Sequence, residues 1–169
     1  MEITVMLPCL NESETLSICI KKAKNQIKSL KIKGEILIAD NGSTDGSIKL
    51  AKKLGARVIH VKNKGYGHAL RAGIKNAKGK YILIADSDDS YNLNDLPKFY
   101  KKIKKGYDIV QGCRLPKGGG KIHRGAMPIT HKLIGNPLFS NLTKILYRVP
   151  FNDVYCGMTL MDNDIDVPK

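Results

Sequence analysis

Two carboxylates two positions apart, Asp86 and Asp88, follow the apolar run Tyr81-Ile-Leu-Ile-Ala85. Side chains two apart at a strand end point the same way, so both can face one site. Close carboxylates repel, and each favours its protonated form unless a cation sits between them. Hard oxygen ligands suit Mg²⁺ or Mn²⁺, ions that also take phosphate oxygens. Asp86 and Asp88 are therefore read as a metal pair, with Asp89 as a spare ligand or a helix cap. The competing reading is an acidic helix start, because Ser90 and Asn94 also suit caps.

Asp40-Asn-Gly-Ser-Thr-Asp-Gly46 follows a second apolar run. Asp40 can accept hydrogen bonds from a base or a ribose, or it can belong to a capped strand-to-helix turn. Gly42 permits a tight turn, and Thr44 or Asp45 can cap the next helix. Lys64-Gly-Tyr-Gly-His68 opens a third helix. Glycines before a helix N-terminus let backbone N–H groups approach an anion. With Arg71 they can hold a diphosphate; for His68 a surface or capping role competes. This is neither a Walker loop nor a complete dinucleotide fingerprint, which belongs after the first strand. Arg114, His123 and Arg124 flank a Lys/Gly loop, Pro116 to Gly120. Arginine pairs bidentately with phosphate, so they can hold an anionic acceptor or stand as solvated loop charge.

These clusters need a scaffold that gathers them. Short apolar runs predict strands at Ile3–Leu7 (stopped by Pro8), Glu35–Ala39, Arg57–Val61, Tyr81–Ala85 and Asp108–Gly112. Three- and four-residue apolar spacing predicts helices over Glu14–Leu30, Ser47–Leu54, Ala69–Ala77 and Leu96–Lys105. Repeated strand–helix–strand units imply an α/β fold, a mostly parallel sheet with helices on both faces. Ligands bind such sheets outside the carboxyl ends of the strands, where Asn11-Glu12, Asp40-Asn41 and Asp86 to Asp89 all fall. Beyond Gly112, Met127 to Tyr147 reads as two short helices broken at Gly135-Asn136-Pro137, Phe151 to Met161 as a final strand or hairpin, and Asp162 to Lys169 as a frayed tail.

A chain of 169 residues fits one domain and can bury roughly 70% of its unfolded surface. Its apolar runs are strand-sized, whereas a spanning helix needs about 20 residues, and Met1-Glu2 opens directly into a strand with no signal peptide expected. Twenty-nine Lys+Arg against fifteen Asp+Glu leave a net charge of +14, which attracts anions, unless it is simply a solvated lysine coat. Cys9, Cys19, Cys113 and Cys156 lack CxxC spacing and read as reduced thiols. A nucleic-acid binder would suit the charge, but no helix-turn-helix or RNP-like motif is present and only 6% of residues are aromatic; no nucleic-acid partner is expected.

Leu7-Pro-Cys-Leu-Asn-Glu12, Ile38-Ala-Asp-Asn-Gly-Ser-Thr-Asp-Gly-Ser47, Gly65-Tyr-Gly-His-Ala-Leu-Arg71 and Ala85-Asp-Ser-Asp-Asp-Ser-Tyr91 occur in that order. The set resembles the family 2 glycosyltransferases of the GT-A (Rossmann-like) fold. Within them it is most similar to the branch of dolichyl-phosphate mannose synthase and bacterial polyprenyl-phosphate glycosyltransferases. Ala126-Met-Pro, His131-Lys-Leu-Ile-Gly-Asn-Pro137 and Asp153-Val-Tyr-Cys-Gly157 also look like that branch.

The resemblance implies a single catalytic domain over 1–169, with a nucleotide-sugar half at 1–112 and an acceptor half at 113–169, short at its C-terminus. Pro8, Asn11, Glu12 and Asp40 would line the nucleotide pocket. Asp86 would sit near ribose and metal, and Asp88 would be the main metal ligand. Arg114 and Arg124 would face a lipid phosphate, and Asp153 would lie near the reacting centre, as a base or as an orienting group. The implied reaction is transfer of a sugar from a UDP- or GDP-sugar to a polyprenyl or dolichyl phosphate with inversion, using Mg²⁺ or Mn²⁺. The implied location is cytoplasmic, peripheral on a membrane face. Met158-Thr159-Leu160 stands where the branch usually has an arginine. This favours, as the alternative, a nucleotide-sugar-binding domain inactive alone or needing a partner chain or membrane anchor.

Overall fold

The apolar run at the N-terminus folds as a strand, β1 (Ile3–Cys9), and all seven of its residues are buried. In the computed structural model, which describes residues 1–116, 135–150 and 152–165, β1 lies inside a sheet of six strands. Along the chain follow α1 (Leu16–Ser29), β2 (Gly34–Asp40), α2 (Ser47–Lys53), β3 (Arg57–His60), α3 (Tyr66–Asn76), β4 (Tyr81–Ile84), α4 (Leu96–Ile103), β5 (Ile109–Gln111), α5 (Asn136–Tyr147) and β6 (Thr159–Asp162). The strand order is β3-β2-β1-β4-β6-β5. The pairings β1–β2, β1–β4 and β2–β3 are parallel.

Alternation along β1 sends side chains to both faces. On one face Ile3 meets Ile27 of α1 beside Gly34, where an added Cβ would lie 2.8 Å from Ile3 and 3.1 Å from Ile27. On the other, Met6 packs on α3 at Gly73, where a Cβ would come within 2.5 Å of its sulfur. Met6, Leu37, Ile82 and Ala69 form the core of that second face. α1 packs with α2, α4 and β2, while α3 packs on β1 and β2, so helices cover both faces.

Three elements depart from the sequence expectation. β1 continues through Pro8, which pairs in register with Ala39. The β1–β4 ladder ends at Met6↔Ile84, and the Pro8 carbonyl accepts a hydrogen bond from Ser87 Oγ at 2.7 Å. The proline nitrogen shares that side, beyond the end of the ladder, so no ladder bond is lost. α3 begins at Tyr66 rather than Ala69, because Gly65 turns the chain into it with φ 121°. β6 covers only Thr159–Asp162 and inserts between β4 and β5.

The residues divide into two compact units, Met1–Val110 with Leu160–Lys169, and Gln111–Thr159. In the second unit α5 starts at Asn136 with Pro137 in its first turn, where a missing N–H costs nothing. Gly135-Asn136-Pro137 is therefore a helix start; the helix expected before it lies outside the described residues. α5 turns Asn136 and Ser140 inward and leaves Leu138, Leu142, Ile145, Leu146 and Tyr147 exposed.

Candidate functional site

The carboxyl ends of β1 and β4 and the start of α3 enclose a cavity of about 580 Å³. Its walls include Pro8, Glu12, Asp86 and Asp88, the candidates for the nucleotide and metal sides. Asn41, Lys64 and Tyr66 join them. Pro8 leads out of β1, and the Glu12 N–H donates to Ser47 Oγ at 2.9 Å, tying this turn to the start of α2. Ser87, buried between the two aspartates, is anchored to Pro8, which fixes Asp86 and Asp88 on either side of it.

The two carboxylates are only half used internally. Asp86 Oδ1 accepts from the Tyr66 hydroxyl at 2.8 Å, and Asp88 Oδ1 accepts from the Ser90 N–H at 2.9 Å. Among the described residues, neither Oδ2 accepts a side-chain or backbone hydrogen bond and no lysine or arginine pairs with either group. Burial pushes the Asp86 carboxyl above its ordinary value, the Tyr66 hydrogen bond opposes this, and the charge of Asp88 adds to the rise. Burial and the neighbouring Asp86 likewise raise the Tyr66 phenol, so its hydroxyl stays a donor. Two hard oxygen donors with free lone pairs and mutual repulsion suit a divalent cation. The described residues contain no cluster of three or more His, Cys, Asp or Glu able to hold a metal alone; a cation here would complete its shell with other oxygens. Asp89 is not a spare ligand: it faces α1, where Lys22 Nζ contacts both its oxygens at 2.8 and 2.9 Å.

The other sequence candidates lie apart from the cavity walls. Asp40 is 3% exposed, bonded to the Ser43 N–H at 2.9 Å and to His60 Nδ1 at 3.0 Å. Burial raises its carboxyl, but these bonds outweigh burial and hold it below the ordinary value. Asn11, at φ 58°, bridges to Ser43 and Thr44. Asp45 accepts from the N–H groups of Ser47 and Ser13, a turn-forming role. Arg71 and His68 are exposed on α3. Cys9, Cys19 and Cys156 are buried and all four cysteines are free thiols; burial pushes Cys19 up to about 11.

Arg114 and Asp153 meet within the second unit. Asp153, 1% exposed, accepts from Arg114 N–H at 3.0 Å, Nε at 2.8 Å and Nη2 at 2.9 Å. Burial raises its carboxyl, yet the Arg114 bonds and charge outweigh burial and keep it below the ordinary value. A carboxylate so held is a weak base and a firm anchor for a guanidinium. Arg124 and His123 lie outside the described residues.

Asn41 comes from the Asp40-Asn41 cluster expected at the strand ends, and Lys64 and Tyr66 from the Lys64 to His68 segment expected to hold a diphosphate. The bonds of Asn41 to the residues before Tyr66 and of Tyr66 to Asp86 are what the sequence does not reveal.

The profile of Glycosyl transferase family 2 matches residues 4–166. The chain is 34% identical over 163 residues to the low-salt glycan biosynthesis hexosyltransferase Agl6 of Haloferax volcanii, covering 96% of this chain and 38% of that protein. It is 35% identical over 126 residues to a dolichyl-phosphate hexose transferase of the same organism, covering 75% of this chain and 52% of the relative. It therefore spans well under two thirds of the length of these relatives. Among solved structures it is similar to glucosyl-3-phosphoglycerate synthase from Mycobacterium tuberculosis, crystallised with Mn²⁺ and UDP-glucose, with TM-score 0.72, 23% identity and 96% of this chain covered against 56% of that one. At that identity the likeness concerns the fold.

Proposed function

The chain belongs to Glycosyl transferase family 2 and has its GT-A α/β fold, and from that premise we propose that it transfers a sugar from a UDP- or GDP-sugar, with inversion, to an anionic acceptor in glycan biosynthesis. The observation that carries this reading is the pair of half-used carboxylates, Asp86 and Asp88, on the wall of the cavity at the strand ends. Pro8, Asn11, Glu12 and Asp40 are assigned to the nucleotide side, Pro8 and Glu12 as wall residues and Asn11 and Asp40 through the turns they brace. Arg71 is assigned to the diphosphate.

In this reading Asp86 and Asp88 would hold Mg²⁺ or Mn²⁺ through their open oxygens. When bound, the ion neutralises charge growing on the departing diphosphate, a stabilisation specific to the transition state. A lone pair on the acceptor phosphate oxygen forms the new bond to the anomeric carbon while the bond to the nucleoside diphosphate breaks and takes its electrons with it. A phosphate acceptor is already ionised near neutral pH, so no strong general base is required. The ion-paired Asp153 suits that chemistry: it orients Arg114 toward the acceptor phosphate rather than accepting a proton, and Arg124 shares the phosphate.

The acceptor class we favour is a polyprenyl or dolichyl phosphate at the cytoplasmic face of a membrane. Three observations support it: the dolichyl-phosphate hexose transferase relative, the net charge of +14, and the outward apolar face of α5. No helix among the described residues is long and apolar enough to cross a membrane. Attachment of this kind combines buried apolar area with lysine attraction to anionic lipid.

The test is a thermal-shift panel of UDP- and GDP-sugars with and without Mn²⁺, on the wild type and Asp88→Asn, followed by transfer to a polyprenyl phosphate. A metal-dependent rise with one nucleotide, lost in the variant, and product formation support the reading. Binding without transfer by the isolated chain supports the partner-dependent alternative, and no shift with any donor overturns both.

A further inference from the structure

One oxygen of Asp86 accepts from Tyr66 at 2.8 Å, and the other has no partner among the described residues. Tyr66 is the first residue of α3, 53% exposed, and lines the same cavity. An exposed hydrogen bond between two freely rotating side chains orders little, since solvent competes for both partners. Here the approach to Tyr66 is clamped. Asn41, 5% exposed, accepts the Gly65 N–H on Oδ1 at 2.7 Å and donates Nδ2 to the Asn63 carbonyl at 2.8 Å. Lys64 Nζ donates to the Asn41 carbonyl at 2.8 Å. All three residues before Tyr66 are thereby held by one buried asparagine. Aspartate would fill the same space but has no N–H for the Asn63 carbonyl.

We propose that Tyr66 is a positioning residue of the donor cavity: its hydroxyl, fixed through the Asn41 clamp on residues 63–65, turns Asp86 so that one carboxylate oxygen is presented to a divalent cation. The proposal rests on the functional reading only in taking Asp86 as a cation ligand. The hydroxyl acts on Asp86 as outer partners act on metal ligands, by fixing orientation, and removal of such partners typically lowers metal affinity about 10- to 100-fold.

The test is Mn²⁺ binding to the full chain, read from the free-ion electron paramagnetic resonance signal, first with Mn²⁺ alone and then with a UDP- or GDP-sugar. Tyr66→Phe keeps the ring and removes only the donor. The expected result is a rise of about tenfold in the Mn²⁺ Kd with an unchanged thermal midpoint. With donor present, KM for the sugar nucleotide rises and kcat stays near the wild-type value, the signature of lost ground-state positioning. Asn41→Asp should weaken Mn²⁺ binding in the same direction, with Asn41→Ser as a second variant should the aspartate lower stability. Wild-type Mn²⁺ affinity in Tyr66→Phe overturns the proposal, as does a wild type that binds no Mn²⁺. The two readings fail separately. Mn²⁺ binding weakened by Tyr66→Phe in a chain that takes no sugar nucleotide sinks the proposed function alone; donor binding and transfer unaffected by Tyr66→Phe sink this inference alone.

Discussion

One sheet carries carboxylates in opposite conditions at its two ends. Where the strands begin, Glu35 receives Arg57 bidentately at 2.8 and 2.8 Å, Thr4 Oγ1 at 2.9 Å and the Lys78 N–H at 3.1 Å. Burial raises its carboxyl, but these partners outweigh burial and leave it below the ordinary value. Where the strands finish, Asp86 and Asp88 each have one internal bond, no described cationic partner, and a mutual repulsion that helps raise Asp86. A charge whose lone pairs are filled by its own protein contributes to the fold. Charges left half filled on a cavity wall cost stability and mark candidate binding sites. The two ends should therefore answer differently to the same kind of substitution.

The largest contrast comes from Asp88→Asn against Glu35→Ala. The first removes an anionic ligand from the cavity and should cut metal-dependent donor binding by about a hundredfold or more, above the loss typical of outer partners, while the thermal midpoint of the unliganded chain does not fall. Calorimetric titration with Mn²⁺ and the sugar nucleotide measures the first quantity and a melting curve the second. Retained metal-dependent binding in Asp88→Asn would remove the carboxylate pair from the mechanism.

Glu35→Ala should do the reverse. It removes the ion pair of Arg57, whose Nη2 keeps only the Asn76 carbonyl, and the acceptor of the Thr4 hydroxyl, while the Lys78 N–H keeps Thr4 Oγ1, a loss of about 2–4 kcal/mol by the usual cost of breaking a part-buried pair. Urea unfolding measures it, and donor affinity of the folded fraction should match the wild type. An equal loss of donor binding would mean that the two ends are coupled through the sheet, and the contrast would fail.

A smaller effect is expected from Asp153→Asn in the second unit. The neutral amide keeps the shape and one acceptor but loses the ion pair that holds Arg114. Transfer to a phosphate acceptor should fall about tenfold in kcat/KM, in the range of one charge-assisted hydrogen bond, while donor affinity is unchanged. A pH–rate profile whose acid limb disappears in the variant would instead identify Asp153 as a base.

How far the residues alone reveal this arrangement depends on the range of the interactions involved. The alternation from β1 to α4 is legible because each element declares itself within about ten residues, by apolar runs or by three- and four-residue spacing. Pro8 misleads because its cost depends on which side of β1 still has a ladder, a fact set by β4 more than seventy positions away. A final strand is expected near β6, but its place between β4 and β5 is hidden for the same reason: it follows from pairing, not from its own four residues. At the site, Asp86 and Asp88 are legible because spacing and strand ends suffice. Asn41 and Tyr66 are legible as members of candidate segments but not in their roles, because those roles appear only when Gly65 and Asp86 are brought beside them.

The subtlest consequence is a reversal of sign at Asp86. Its carboxyl is raised in the fold, so the native state holds the proton more tightly than the unfolded chain. The associated stability is fully present below the ordinary carboxylate value and is lost as pH rises through the raised one. Glu35, held low, behaves oppositely: its contribution is present above the ordinary value and is lost as pH falls through the depressed one. Once pH has risen through that raised value and without metal, the wild type has lost the Asp86 contribution, and Asp86→Asn, which cannot ionise, should be more stable by a few tenths to about 1 kcal/mol, the range for partly exposed charges. The repulsion with Asp88 is removed in the same step. Addition of Mn²⁺ should invert the order, because a ligand that binds only the native wild type stabilises it by RT ln(1 + [L]/Kd). Melting curves of both chains at pH 7, with and without Mn²⁺, would show the lines crossing. Parallel shifts in the two chains would mean that the cation is held elsewhere and that the open oxygen of Asp86 serves another partner.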